Sequence, residues 1–265
     1  MLSSAIKTFM ILPITAILGC TSVSATRQLE RTVDVGDTEK IVLTVISPNG
    51  DIRIEQDDAR SDVRIVAIAK SEATAESDAQ ERLRSFDVSV DAVGERHWRI
   101  EPDFGGVRRG SDAMGFLITV PRLDDAKVWT GNGAISIASA HGGLDLETAN
   151  GAVQVGPTSG GVRVKTGNGA VTCVAGDLAD AASIELRTGN GRIRLDLGDE
   201  SIGELTATTA NGRITDRVDD GAVLASTRSG SLRSRGTGAS EIDLRTGNGS
   251  IDITRSLGRS PSPPE

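Results

Sequence analysis

Four kinds of side chain in this sequence could do chemistry. Arg192, Arg194, Arg213 and Arg233 stand just after glycine-containing turns that recur along the chain. A row of guanidinium groups would grip phosphate or carboxylate through paired N–H donors. Asp145 with Glu147, and Asp196 with Asp199 and Glu200, are carboxylate groupings of the kind that supply acid and base in glycoside chemistry. His97 and His141 lie in different regions, and neither has a nearby Ser or Cys in a nucleophile setting. Of the two cysteines, Cys20 directly follows an apolar run, whereas Cys173 sits at an apolar alternation position and reads as a small buried hydrophobe. Against these stand plainer readings: outward carboxylates on strands are ordinarily solvated, and Glu185, Glu241 and Asp243 would partly neutralise the arginines.

Cys20 has the most specific setting. Lys7, the apolar run Phe9 to Leu18 broken by Pro13, and the small residues that follow make residues 1–19 a secretory signal, too short to span a bilayer. Ile17-Leu18-Gly19-Cys20 resembles the lipobox of bacterial lipoproteins, in which cleavage before the cysteine exposes a thiol for diacylglyceryl modification. Two or three acyl chains hold a domain on a membrane durably. The alternative is cleavage after Val23-Ser24-Ala25, which would release the protein without lipid. Thr21, rather than Asp, follows the cysteine, which by the same resemblance favours the outer membrane in a Gram-negative host.

Positioning these groups requires a scaffold, and the composition says which kind. Aromatics are 2% of the 265 residues, Tyr is absent and there are 31 Gly, so the core is thin and the turns are frequent. Loss of the signal removes Lys7 and leaves a net charge of −9, which argues against nucleic acid as a partner.

One phrase dominates from residue 126 onward: TGNGAISI at 130, TANGAVQV at 148, TGNGAVTC at 166, TGNGRIRL at 188, TANGRIT at 209, TRSGSLR at 227 and TGNGSIDI at 246. The spacings are 18, 18, 22, 21, 18 and 19, with a second turn midway in each period, so a period holds two short strands and two corners. An antiparallel meander of N-G hairpins and a parallel β-solenoid both fit that pattern. The near-constant period favours the solenoid, because stacking rewards equal coil lengths. Asn132, Asn150, Asn168, Asn190, Asn211 and Asn248 would then stack as an amide ladder, with flanking glycines supplying positive φ at the corner. Ile135 and Ile137, Val153 and Val155, Val171 and Cys173, Ile193 and Leu195, and Ile251 and Ile253 would pile into columns. The phrase at 227, with Arg228 and Ser229 in place of Gly and Asn, reads as a weaker coil.

Before the repeats, residues 20–30 read as a tether and 31–125 as a β-rich portion, continuous with the solenoid, that carries an early NG phrase at SPNGDIRIE. Ala75, Ala79, Leu83 and Phe86 lie at helical spacing, predicting one amphipathic helix of three to four turns between Ser71 and Phe86. Residues 103–115 form a loop, the repeats end near 255, and the proline-rich stretch 256–265 reads as a disordered tail.

NGDIRIE, the short helix, the WRIEP strand, ITVP and the TGNGxIxI repeats together resemble the DUF4097-type bacterial β-strand-repeat family, related to head-GIN-like adhesin domains. The resemblance covers about 30–255. It implies an all-β, right-handed parallel β-solenoid, commonly membrane-tethered, and offers no catalytic residues to carry over; the repeat spacings set its coils at about 18–22 residues.

The reading that follows is a non-catalytic, lipid-anchored cell-envelope protein with an adhesin-like solenoid for surface binding, scaffolding or envelope-stress sensing. Its partners are the membrane, through Cys20, and an anionic envelope glycan or another envelope protein. The alternative is a glycan-active β-helix enzyme, a lyase or hydrolase. No cofactor or metal is expected: calcium-binding repeats place Asp after the glycine turn, and here that position holds Ala134, Ala152, Ala170, Arg192, Arg213 or Ser250.

Overall fold

The computed structural model describes residues 7–8, 22–35, 40–176, 178, 182–198, 202–218, 221–235 and 238–256. Cys20, Asp199, Glu200 and the tail from 257 onward lie outside the described residues. The fold is all-β with one short helix, and it divides into two compact units, Met1–Ser136 and Ile137–Glu265.

The first unit contains β1 (Lys7–Thr8), β2 (Val23–Asp34), β3 (Ile41–Asn49), β4 (Ile52–Gln56), β5 (Asp62–Ala73), α1 (Glu76–Arg84), β6 (Asp87–Gly94), β7 (His97–Asp103), β8 (Ala113–Val120) and β9 (Leu123–Asn132). β3 and β4 make one coil, turned at Asn49-Gly50. The β7–β8 segment stacks parallel on one side of it, and β9 runs parallel to β3 on the other. Antiparallel strands finish the unit: β1 pairs with β2, β2 with β5, β5 with β8, and β6 with β7. Strict alternation in β3 buries Ile41, Leu43 and Val45 completely and turns Val42 and Thr44 outward.

Helix α1 has nine residues, fewer than the expected three to four turns. The first part of the expected helix is strand, because Ser71 and Ala73 continue the β5 ladder against Ala25 and Val23. Ala79 and Leu83 bury the inner face of α1. Glu76 and Asp78 in its first turn, with Arg82 and Arg84 in its last, complement the helix dipole.

β10 (Ile135–Ile137) crosses the division between the units. The second unit comprises β11 (Leu144–Asn150), β12 (Val153–Thr158), β13 (Val162–Asn168), β14 (Val171–Ala175), β15 (Ser183–Asn190), β16 (Ile193–Leu197), β17 (Ile202–Val218), β18 (Val223–Arg235), β19 (Ser240–Asn248) and β20 (Ile251–Arg255). Each coil places a pre-corner strand and a post-corner strand in parallel register with the next. Leu144, Val162, Ile184, Ile242 and Leu205 form one column, and Val153, Val171, Ile193, Ile251 and Ile214 another.

That order departs from the expected one. After β16 the chain passes over a place in the stack and forms β17. It then reverses in β18, and returns as β19 and β20 to fill the place between β15–β16 and β17. The phrase at 227 is therefore no coil. It lies in β18, which runs antiparallel to β17 and rounds the same corner in the opposite direction, with Ser229 at φ 52° and Gly230 at φ 91°. β18 has little to bury, Leu232 being its buried apolar residue, and it closes the stack as a polar cap.

Candidate functional site

The repeated corner is built by three interlocking contacts. The Asn side chains donate along a ladder: Asn132 to Asn49 at 2.7 Å in the first unit, and in the second Asn168 to Asn150 at 2.9 Å, Asn190 to Asn168 at 2.8 Å, Asn248 to Asn190 at 2.7 Å and Asn211 to Asn248 at 2.8 Å. Behind them five phrase-opening threonines donate to a glycine carbonyl of the neighbouring coil: Thr130 to Gly50, Thr166 to Gly151, Thr188 to Gly169, Thr246 to Gly191 and Thr209 to Gly249, all at 2.9–3.0 Å. The hydroxyl satisfies a carbonyl that the bend leaves outside the backbone ladder, which accounts for threonine at a buried position.

The glycine after each Asn has a different reason from the one expected. Within the Asn-Gly phrases positive φ occurs only at Gly50 and Gly249 among the described residues. At Gly133, Gly169, Gly191 and Gly212 a Cβ would fall inside the carbonyl group of the matching glycine one coil away, Gly50, Gly151, Gly169 and Gly249 respectively. Close stacking, not a left-handed bend, demands glycine there. The corner is thus structural throughout, with its donors spent on the next coil.

Outside the corner, register fixes the outward rows. On the pre-corner face Asp145, Arg163, Glu185 and Asp243 form one row, and Glu147, Lys165, Arg187 and Arg245 the row beside it. Ion pairs knit these rows: Arg163 to Glu185 at 3.0 Å, Arg187 to Glu185 at 2.6 Å and to Asp243 at 3.5 Å, and Arg245 to Asp243 at 2.9 Å. Asp145 and Glu147 stand in register with Arg163 and Lys165, in a surface of alternating sign.

The four arginines expected to share a stripe do not form one row. The first post-corner row reads Arg192, Ser250, Arg213 and then Arg228 across the hairpin, because Gly212 stacks on Gly249 and Ile214 pairs with Ile251. Ser250 separates Arg192 from Arg213. Arg192 donates to Ser250 at 3.0 Å and lies 3.6 Å from Asp252, and Arg194 pairs with Asp196 at 3.1 Å. Arg233 stands opposite Thr206 on the pre-corner face, round the corner from the other three. Arg213, Arg228 and Arg233 form no ion pair with the described residues. Arg228 of this row was missed from sequence, and its signal was the departure from Gly at the second position of the phrase.

His97 Nε2 lies 2.8 Å from the Thr44 hydroxyl on adjoining strands, while the backbone carbonyl of His141 accepts from Ser159 at 3.2 Å. Cys173 is fully buried in its column, and burial, with a smaller contribution from Asp196, pushes its thiol up to about 12.

The first unit also has an open polar cleft of about 930 Å³ beside α1, whose lining includes Ser22, Glu72, Asp78, Glu81, Arg82 and Arg109. Arg82 and Arg109 of its lining both donate to Asp112, which is fully buried. Asp112 accepts from Ser71 at 2.9 Å, from the Arg109 backbone N–H at 2.6 Å, and from two guanidinium nitrogens of Arg82, the closer at 2.5 Å. Burial alone would push this carboxyl up, but the bonds from Arg82, Arg109 and Ser71 outweigh it and hold it below the usual carboxylate range. Arg82 also donates to the Val107 carbonyl at 2.7 Å and lies over the Phe86 ring. The arrangement fastens the 104–112 loop to α1, and with its lone pairs occupied Asp112 is a structural anion.

A family model described as Toastrack DUF4097 matches residues 15–254. Among solved structures, the chain is similar to one from Clostridium sporogenes provisionally described as a cell adhesion protein, at 14% identity and a TM-score of 0.51. That likeness covers 87% of this chain and 99% of that one. It is also similar to one from Bacteroides fragilis provisionally described as an adhesin, at 14% identity and a TM-score of 0.40, covering 86% and 97%. At 14% identity the likeness to the Clostridium sporogenes structure is one of fold. A search of curated proteins finds no match.

Proposed function

The chain belongs to the Toastrack DUF4097 family, and from that premise we propose that it is a non-catalytic cell-envelope protein. In this reading it is anchored by lipid on Cys20 and displays a rigid, right-handed β-stack as an adhesin-like surface for binding or scaffolding. The observation that carries the reading is the register lock of the outward rows: Asp145, Arg163, Glu185 and Asp243 are held at successive strands by the Asn and Thr ladders beneath them. Such a surface keeps polar groups at a fixed pitch of about 4.8 Å, which suits a repeating polymer better than a small substrate.

The ligand proposed is an anionic envelope polymer, engaged by the post-corner face through Arg192, Arg194 and Arg213, with Arg233 contributing round the corner. Arg213 and Arg233 carry the larger share, since Arg192 and Arg194 are already engaged with Asp252 and Asp196. Binding to immobilised lipopolysaccharide or polygalacturonate is expected to fall at least tenfold when Arg192, Arg194 and Arg213 are all changed to Glu. Unchanged binding by that variant would remove the ligand assignment. Incorporation of a palmitate analogue, compared with Cys20→Ser, checks the anchor separately, and an unlabelled wild-type protein would sink it.

A further inference from the structure

We propose that the free edge of β18 is a docking edge for an extended, acidic segment of another polypeptide, which adds to the sheet as one more strand. The inference goes beyond the envelope-polymer reading: the two share Arg233, but this one concerns backbone pairing along the strand edge and a polypeptide occupant. β18 has 13 residues and is paired antiparallel with β17 on one side, with no strand on its other side among the described residues. An unpaired edge of that length presents a row of backbone N–H and C=O groups, a ready template for a further strand. Edges are commonly blunted by proline, shortness or a covering helix. Among the described residues β18 has none of these. Its side chains are mostly Ser, Thr, Ala and Gly, which leave the backbone approachable, and Val223 and Leu224 at its start are 59% and 56% exposed.

Charge chooses the occupant. Arg228, Arg233 and Arg235 are the charged residues of β18, so the edge is cationic in a chain of net charge −8. Arg228 lies directly opposite Arg213 on β17, a like-charge cross-strand pair that no described carboxylate relieves. Arg233 and Arg235, two residues apart on one strand, point to the same face, Arg235 lying 3.8 Å from Glu204 in an exposed pair that leaves it open to a further carboxylate. A docked segment with Glu or Asp at alternate positions would meet them in register. A second β18 from another copy would set arginines against arginines, which weighs against self-pairing of this edge. The irregularity at Ser229 and Gly230 divides the edge into 223–228 and 231–235, so the docked strand uses one stretch or bends with the cap.

The probe is a fluorescent peptide of about ten residues alternating Glu with Val and Thr, added to the full chain and read by anisotropy. A matched peptide N-methylated at alternate residues keeps the charge but loses the backbone donors on one edge. We expect the first peptide to bind and the methylated one to bind at least tenfold more weakly. The triple variant Arg228→Glu, Arg233→Glu, Arg235→Glu should weaken the first peptide comparably with little change in thermal midpoint, because attraction between Arg213 and the carboxylate introduced opposite it offsets the loss of the exposed Arg235–Glu204 pair. Equal binding of the two peptides, no binding of either, or indifference to the triple variant would each overturn the proposal. So would concentration-dependent self-association that the triple variant abolishes, which would make a second copy the occupant. Polygalacturonate binding by the wild type and by the Arg192→Glu, Arg194→Glu, Arg213→Glu variant is read in parallel, and only the peptide pair reports backbone pairing, so failure of one proposal is distinguished from failure of the other.

Discussion

Asn248 donates its side-chain amide to Asn190 at 2.7 Å although 58 residues separate them, and Asn211, which comes between them in sequence, donates to Asn248 from beyond. The ladder runs 150, 168, 190, 248, 211, so its end member is Asn211. An internal amide makes two ladder bonds and a terminal one makes one. Asn190→Ala should cost about 1–3 kcal/mol and Asn211→Ala about half as much, at roughly 1 kcal/mol per net hydrogen bond. Urea midpoints at matched m-values check this, and equal losses would mean that the bonds contribute little.

The exchanged order of coils has its own covalent test. Arg187 and Arg245 are register partners on adjoining parallel strands, a spacing a disulfide tolerates, whereas Thr208 lies one strand further on. In a Cys173→Ala background, Arg187→Cys with Arg245→Cys should oxidise readily to an intramolecular bond. Arg187→Cys with Thr208→Cys should not. The reverse outcome would restore the sequential order of coils.

The corner phrase was readable because stacking needs the same residue types at every level: Thr to reach a carbonyl, Asn to reach the next amide, Gly where the coils nearly touch. That sameness hides the order of the coils. Every copy offers the same hydrogen bonds, so Thr188 is as well matched by Thr246 as by Thr209, and a period of 18–22 residues does not choose between them. What set the 227 phrase apart was local, namely the loss of Asn and of apolar alternation, and it marked a reversal of direction. The arginine row failed for the same reason, since inserting β19 and β20 put Ser250 between Arg192 and Arg213. The Asp112 anchor was invisible because its partners Ser71, Arg82 and Arg109 come from a strand, a helix and a loop that only the fold assembles.

Cys173 is completely buried and its thiol is pushed up to about 12 by burial and by Asp196. A thiol reagent should therefore leave it unmodified at pH 8 in the native protein and titrate it fully in guanidinium. A raised folded value stabilises below the unfolded value of 9.0, and the contribution is lost as pH rises toward about 12. The wild type should thus lose stability relative to Cys173→Val across that alkaline window, read from denaturation midpoints. Rapid native labelling would show that the column opens.

Asp112 gives the opposite sign. Its folded value lies below the ordinary 3.8 through the bonds from Arg82, the Arg109 backbone and Ser71, which exceed the opposing effect of burial. A depressed carboxyl contributes stability that is fully present above 3.8 and is lost as pH falls through the folded value. Asp112→Asn should cost about 3 kcal/mol at neutral pH, because it leaves the Arg82 guanidinium without its partner in a largely buried setting. Below about pH 3.8 the gap between variant and wild type should shrink, since protonation then removes from the wild type what the substitution has already removed. Arg82→Lys, which keeps the charge but not the forked geometry, should fall between the two at neutral pH. The measurement is the unfolding midpoint of each protein from pH 2.5 to 7, with the fluorescence of Trp98 and Trp129, both in this unit, as the reporter. A gap that stays constant with pH would show that Asp112 contributes by packing and not as a charged partner of Arg82.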